Sequence, residues 1–368
     1  MTEAERILVF LLMLSVLVVL HEYGHFLLAR LNGVRVTDFA VGFGPTLAKW
    51  TSKRSGTNYR LNVLPLGGYC QMKGEDGKTN EAEQQREFRS SGAVYDHDNF
   101  QAKSPLRRLA IVVAGPVANF VVALALFVGG AIAFGVPGEK PTTMVYQLLP
   151  NFPAAKAGMR VGDRIVSVDG REVADGSALV DTIHRSLGKK LHVVFERDGR
   201  SQAVDVTPVP SPDDKSIGLL GFQPLPKTQR VGVGEAVRWG WSQFTGVTGA
   251  TLGALGGLIT RPQAVAGQFQ GPIGIARVSM QAQQFGPYIF LSLAGMISIS
   301  LGIFNLLPIP ALDGGRGVFI LVEMLRGKPV DPEKEALVHV GGFAVLIALM
   351  LVVSFHDVTT AMAGRSAF

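Results

Sequence analysis

Cysteine is almost missing: Cys70 is the only one in 368 residues. That excludes an internal disulfide framework and any metal cluster built from thiolates. Charge is scarce too, at 17% of residues, where an average soluble domain carries about 25%. The net charge is +6, yet no basic stripe with interleaved aromatics occurs, so nucleic acid is not an expected partner. Positive charge on membrane-facing loops accounts for the excess better. What the chain has in quantity is apolar: 47% hydrophobic residues and a mean hydropathy of +0.28. This is the composition of a membrane protein diluted by soluble parts, long enough for two or three folding units.

The run Ile7–Ala29 is 23 residues long, enough to cross a hydrocarbon core about 30 Å thick. Met-Thr-Glu-Ala-Glu-Arg before it lacks a positive n-region, and no small-residue cleavage site follows, so the run is read as a retained span. Further spans are expected at about 109–136, 288–307 and 336–355. Arg30, Arg35, Lys49, Lys53, Arg54 and Arg60 follow the first span, which puts the N-terminus outside and the next loop in the cytoplasm. Trp241–Thr260 is uncharged but holds five glycines and four threonines. A crossing there would carry Asp313 to the side away from His21. Glu235–Ile259 is therefore expected as an interfacial helix on the outer face, anchored by Trp239 and Trp241, with Gly271–Ile275 as a connection.

Inside the first span stands His21-Glu22-Tyr23-Gly24-His25. On a helix, positions i and i+4 share a face, so both imidazoles can hold one metal ion with Glu22 beside its bound water. Placing such groups in a membrane-length apolar run is costly and marks function. Catalytic zinc takes three protein ligands and keeps a fourth position open. Asp313 is the strongest candidate for the third: Pro308 and Pro310 break the third span, and topology delivers the carboxylate to the inner half of the bilayer, where His21 lies. Glu22 then fits the general base.

Other polar residues read differently. Asp96-His97-Asp98 fits a solvated turn, His184 and His192 structural or surface positions, and His339 a bundle or interface residue. In Ala114-Gly115-Pro116-Val117-Ala118-Asn119-Phe120 the glycine and proline suggest packing and a kink, while Asn119 stands between a structural and a site role. Val34–Met72 alternates around Gly42-Phe43-Gly44-Pro45 and predicts a β-hairpin-like element, either dipping into the membrane or forming a small cytoplasmic sheet. Ala157–Gly170, followed by Ala178–Leu187 and Leu191–Arg197, resembles a PDZ core, a fold that binds extended chains by strand addition.

Taken with Ala114-Gly115-Pro116, Asn119-Phe120 and Asn305 through Gly315, these motifs resemble the site-2 protease family of intramembrane zinc metalloproteases (M50-type), in its bacterial RseP-like branch with a single PDZ domain. The resemblance implies zinc held by His21, His25 and Asp313, Glu22 as base, Asn305 as a substrate-strand contact and the hairpin as a membrane-re-entrant β element. Asn119, Gly42 and Gly44 are further substrate-binding candidates. The implied fold is a multi-span α-helical membrane protein with four transmembrane helices, a membrane-associated β-hairpin and one extracytoplasmic PDZ (α+β) domain. Its expected parts are a membrane core over 1–136, the PDZ domain over 137–225, the interfacial helix and connection over 226–285, and the remaining core over 286–368.

The implied partners are the lipid bilayer, single-span transmembrane substrates such as anti-sigma factors or remnant signal peptides, and a peptide or chain terminus at the PDZ groove. The implied location is a bacterial inner membrane, with both termini and the PDZ domain outside and the active site near the cytoplasmic side. The chain departs from the family in having one visible PDZ domain, in Arg316 where histidine often follows Gly315, and in His356-Asp357, which is given no function. Two rival readings are a tethered soluble-type zinc peptidase and a non-catalytic membrane PDZ scaffold or metal-binding protein.

Overall fold

Helix α1 (Glu3–Leu31) opens on a capping box in which Thr2 Oγ1 accepts from the Glu5 amide at 3.3 Å and Glu5 accepts from the Thr2 amide at 2.9 Å. Two of the amides that a helix start leaves unpaired are thereby satisfied. The computed structural model to which it belongs describes residues 2–75, 97–212, 214–261, 271–328, 330 and 332–362. The chain divides into two compact units, one over 1–127, 240–280 and 291–359, the other over 128–239, 281–290 and 360–368.

Helices α1, α2 (Pro105–Phe134), α7 (Pro287–Leu306) and α9 (Pro332–Met362) contain four stretches long and apolar enough to cross a membrane, with mean hydropathy from 2.0 to 2.6. The second ends earlier than the expected 136, because Gly135 takes φ 85° and Val136 already opens a strand. Helix α5 (Val233–Thr260) is continuous; its Phe244, Val247 and Leu255 pack against Ala123 and Phe127 of α2 and Ile299 and Ile303 of α7.

Two further stretches are helical, one of them expected only as a connection. Pro272–Ala282 is helix α6 and not a mere connection. Its N-terminal amides are satisfied from a distance: Gly274 N donates to Asp357 Oδ2 at 2.9 Å and Gly271 N to Oδ1 at 3.4 Å. Asp313–Arg326, beyond the third span, is helix α8.

Strands β1 (Val36–Thr51) and β2 (Asn58–Met72) pair with each other along three runs because each doubles back on itself: 36–41 with 68–72 and 46–51 with 58–62 are antiparallel, while 38–41 and 58–61 rise together. Val36–Val41 faces Gly68–Met72 on one side, while on the other Asp38 stands opposite Asn58 and Val41 opposite Leu61. Thr46–Thr51 pairs with the outer side of Asn58–Asn62. The order across the sheet is therefore 46–51, 58–62, 36–41, 68–72, with 46–51 and 68–72 at the edges. Gly42 and Gly44 make the bend at φ 82° and 88°, a conformation that side chains rarely adopt. The base packs into a core of Ala29, Val34, Val36, Met72, Phe100 and Ile111, whereas Phe43, Leu47, Trp50 and Leu64 remain exposed.

In the second unit the sheet order is β10 (Phe222–Gln229), β3 (Val136–Leu148), β4 (Arg164–Val168), β6 (Leu191–Arg197) and β7 (Arg200–Val206), with β5 (Arg171–Glu172) beside β4. Short helices α3 (Pro153–Lys156) and α4 (Gly176–His184) join it, together with the pair β8 (Val209–Pro210) and β9 (Gly218–Leu219). Asp175 caps α4 by accepting from the Ala178 amide at 2.8 Å. Alternate residues of β6, Leu191, Val193 and Phe195, face inward with Val145, Ile165 and Leu179, the period-two pattern of a half-buried strand.

Candidate metal centre

His21 and His25 face the same side of α1 because they are one helical turn apart. That side packs against α2 at very short range. A Cβ on Gly24 would overlap the Ala114 carbonyl oxygen and lie 2.9 Å from the Ala118 Cβ. A Cβ on Gly115 would overlap His25 Nε2 and come within 2.8 Å of His21 Cε1. Gly115 is thus more than the packing and kink residue its setting suggested. It leaves open the space into which both imidazoles point.

Asp313 is the first residue of α8. The turn before it is held by Ala311, at φ 75°, whose amide donates to His339 Nδ1 at 2.8 Å. A non-glycine residue in that region is uncommon and needs such support. His339 therefore braces the turn and stays outside the donor cluster, in keeping with the expected bundle role.

The three donor atoms form a nearly equilateral triangle. His21 Nε2 is 3.2 Å from His25 Nε2 and 3.2 Å from Asp313 Oδ2, and His25 Nε2 is 3.3 Å from that oxygen. Zinc bonds of about 2.0–2.1 Å in tetrahedral geometry set ligand atoms about 3.3 Å apart, so the donor set fits that ion. Both imidazoles are buried, at 7% and 6% exposure. All three donor atoms lie within 4.8 Å of one another.

The far nitrogens are engaged as well. His25 Nδ1 lies 2.8 Å from the Ile111 carbonyl oxygen, and His21 Nδ1 lies 3.1 Å from Asn119 Nδ2. Neither contact was expected from sequence; a backbone acceptor leaves no residue signature, and only Asn119's polarity within an apolar run hinted at the second. Glu22 is half-buried beside the sheet edge, where a Cβ on Gly68 would lie 3.8 Å from its Cγ. Arg316 pairs with Glu75, which also accepts from the Met72 amide at 2.9 Å, tying α8 to the end of β2.

The remaining candidates lie apart from the triangle. Asn305 is half-buried in the last turn of α7, and its side chain hydrogen-bonds to no other described group. Gly42 O accepts from Asn62 Nδ2 at 2.9 Å inside the hairpin bend. His97 is exposed in a turn and Asp98 pairs with Lys73 at 2.9 Å, while Asp96 lies outside the described residues. His192 pairs with Asp205 at 2.8 Å on an exposed strand face.

A candidate metal triad with both histidines on a membrane-length helix and its carboxylate just beyond another fits the class of intramembrane metalloproteases. The family model described as peptidase family M50 matches residues 9–349, and the chain belongs to that family, as a site-2-type metalloprotease. It is 33% identical to the zinc metalloprotease RasP of Geobacillus kaustophilus, covering 96% of this chain and 98% of that one. Identity is 32% to the regulator of sigma-W protease RasP of Bacillus subtilis (96% and 98% covered) and 29% to the probable protease eep of Enterococcus faecalis (96% and 99%). Among solved structures, a PDZ domain of an SdrC-like protein from Listeria monocytogenes aligns with 24% of this chain and 93% of that one, at 18% identity and a TM-score of 0.21.

Proposed function

We propose that His21, His25 and Asp313 hold one zinc ion and that Glu22 moves the proton during hydrolysis of a peptide bond within a transmembrane segment of a single-span substrate. The observation that carries this reading is the donor triangle with sides of 3.2, 3.2 and 3.3 Å. Zinc bound there supplies Lewis acidity toward a water and the scissile carbonyl. The Glu22 carboxylate accepts a proton from the attacking water and delivers it to the leaving amide nitrogen as the C–N bond breaks. The hydrogen bond from His25 Nδ1 to Ile111 keeps the Nε2 lone pair directed at the centre.

A substrate helix has its amides bonded internally, so it must unwind before attack. The edge segment Gly68–Met72, which begins beside Glu22, is suited to take an unwound stretch by strand addition. Asn305, with its amide unengaged among the described residues, is suited to bond the same stretch. Gly42 and Gly44 serve this reading by bending the clamp. Asn119, 0% exposed and in contact with His21, belongs with the centre more than with substrate.

The positive charge after α1 supports an active site on the cytoplasmic side of a bacterial inner membrane, with the termini and the 136–229 sheet outside. That sheet is read as the PDZ domain, with β10 as an open edge for a peptide or chain terminus. The test is Glu22→Gln in purified protein incubated with single-span substrates. Zinc content should stay at the wild-type level while turnover disappears; retained turnover would refute the role of Glu22.

A further inference from the structure

The two imidazoles of the centre are held differently at their far nitrogens. Opposite His25 Nδ1 stands the Ile111 carbonyl, 2.8 Å away, which can only accept. The proton is therefore fixed on Nδ1 and the Nε2 lone pair is free. Opposite His21 Nδ1 stands an amide, which can either donate or accept. Asn119 presents Nδ2 at 3.1 Å, while its Oδ1 is buried without a hydrogen-bond partner among the described residues. The residue is 0% exposed, and its backbone oxygen accepts from Ser298 Oγ at 2.8 Å. Its position is thus fixed, and rotation of the amide is the freedom left to it.

The two orientations have opposite consequences. With Nδ2 toward the ring, Nδ1 accepts and the proton sits on Nε2, directed at Asp313 Oδ2, 3.2 Å away; no lone pair then faces the centre. With the amide turned over, the otherwise unpartnered Oδ1 accepts from Nδ1–H and the Nε2 lone pair points inward. Metal-ligating histidines almost always give their second N–H to an oxygen acceptor, most often a carboxylate, a backbone carbonyl or a water.

We infer that Asn119 is the positioning residue for His21: with Oδ1 turned to the ring it accepts from Nδ1–H, which selects the tautomer whose Nε2 lone pair faces the ion. This rests on the reading of His21, His25 and Asp313 as the metal ligands. It also explains why an amide stands at a position where leucine would suit the lipid-like surroundings better.

The test is zinc affinity, measured by chelator competition on full-length detergent-purified protein, for Asn119→Leu and Asn119→Asp. Leucine has similar bulk and no acceptor, so affinity should fall about 10–100-fold, the usual effect of losing an outer-shell partner. Aspartate only accepts, so affinity should stay within a few-fold of wild type, with an unaltered Co(II) absorption spectrum. A purely packing role predicts the reverse order. Wild-type affinity in Asn119→Leu, or a tenfold loss in Asn119→Asp, would overturn the inference. His21→Ala serves as the reference: zinc retained in that variant would overturn the centre itself, whereas zinc lost from it and kept by Asn119→Leu would overturn the role of Asn119 alone.

Discussion

Gly115 sets how close α1 and α2 can come beside His21 and His25. Any side chain there would occupy the space of His25 Nε2. Gly115→Ala should therefore remove zinc binding while leaving the helical content by circular dichroism unchanged, since alanine favours a helix interior over glycine by about 1 kcal/mol. Zinc bound normally in that variant would contradict the geometry. At this scale the sequence was informative where chemistry is local. His21, Glu22 and His25 are legible because a four-residue spacing fixes two imidazoles on one face. Asp313 was legible from topology and the broken helix before it. The packing role read for Gly115 is borne out, but that the packing partners are the two imidazoles was hidden, because a glycine's reason lies in what faces it and nothing in its own helix reveals that.

At the scale of elements, the hairpin and α6 teach different lessons. The alternation predicted a hairpin-like element; the chain builds two long strands, β1 bent at Gly42 and Gly44, because parts of each strand find a second partner across the sheet. That bend leaves 68–72 at an edge next to Glu22. A proline at Tyr69 removes a backbone donor there, and it should slow cleavage of uninterrupted helical substrates more than of substrates carrying helix-breaking residues. Equal slowing of both would argue against strand addition. Helix α6 was illegible because its cap, Asp357, lies 83 residues from Gly274. Asp357→Ala should cost about 1 kcal/mol through the lost cap, lowering the apparent Tm by about 2–4 °C. An unchanged Tm would mean that the carboxylate contributes nothing to α6.

For the molecule as a whole, membership of peptidase family M50 over residues 9–349 joins segments that are far apart in sequence to one activity. The four long apolar helices were legible from hydropathy, since length and apolarity alone decide whether a segment can span. The sheet of the second unit was anticipated from the β-rich runs and turns that resemble a PDZ core, though β3 begins at Val136 and β10 runs on to Gln229. The claim on which the rest depends is that two imidazoles from α1 and one carboxylate from α8 share a single ion. X-ray absorption at the zinc edge on the purified full chain tests it most directly. One zinc per chain is predicted, with two imidazole nitrogens and one carboxylate oxygen at about 2.0–2.2 Å, and it should be lost in Asp313→Ala. Zinc content equal to wild type in His21→Ala, His25→Ala or Asp313→Ala would contradict the account.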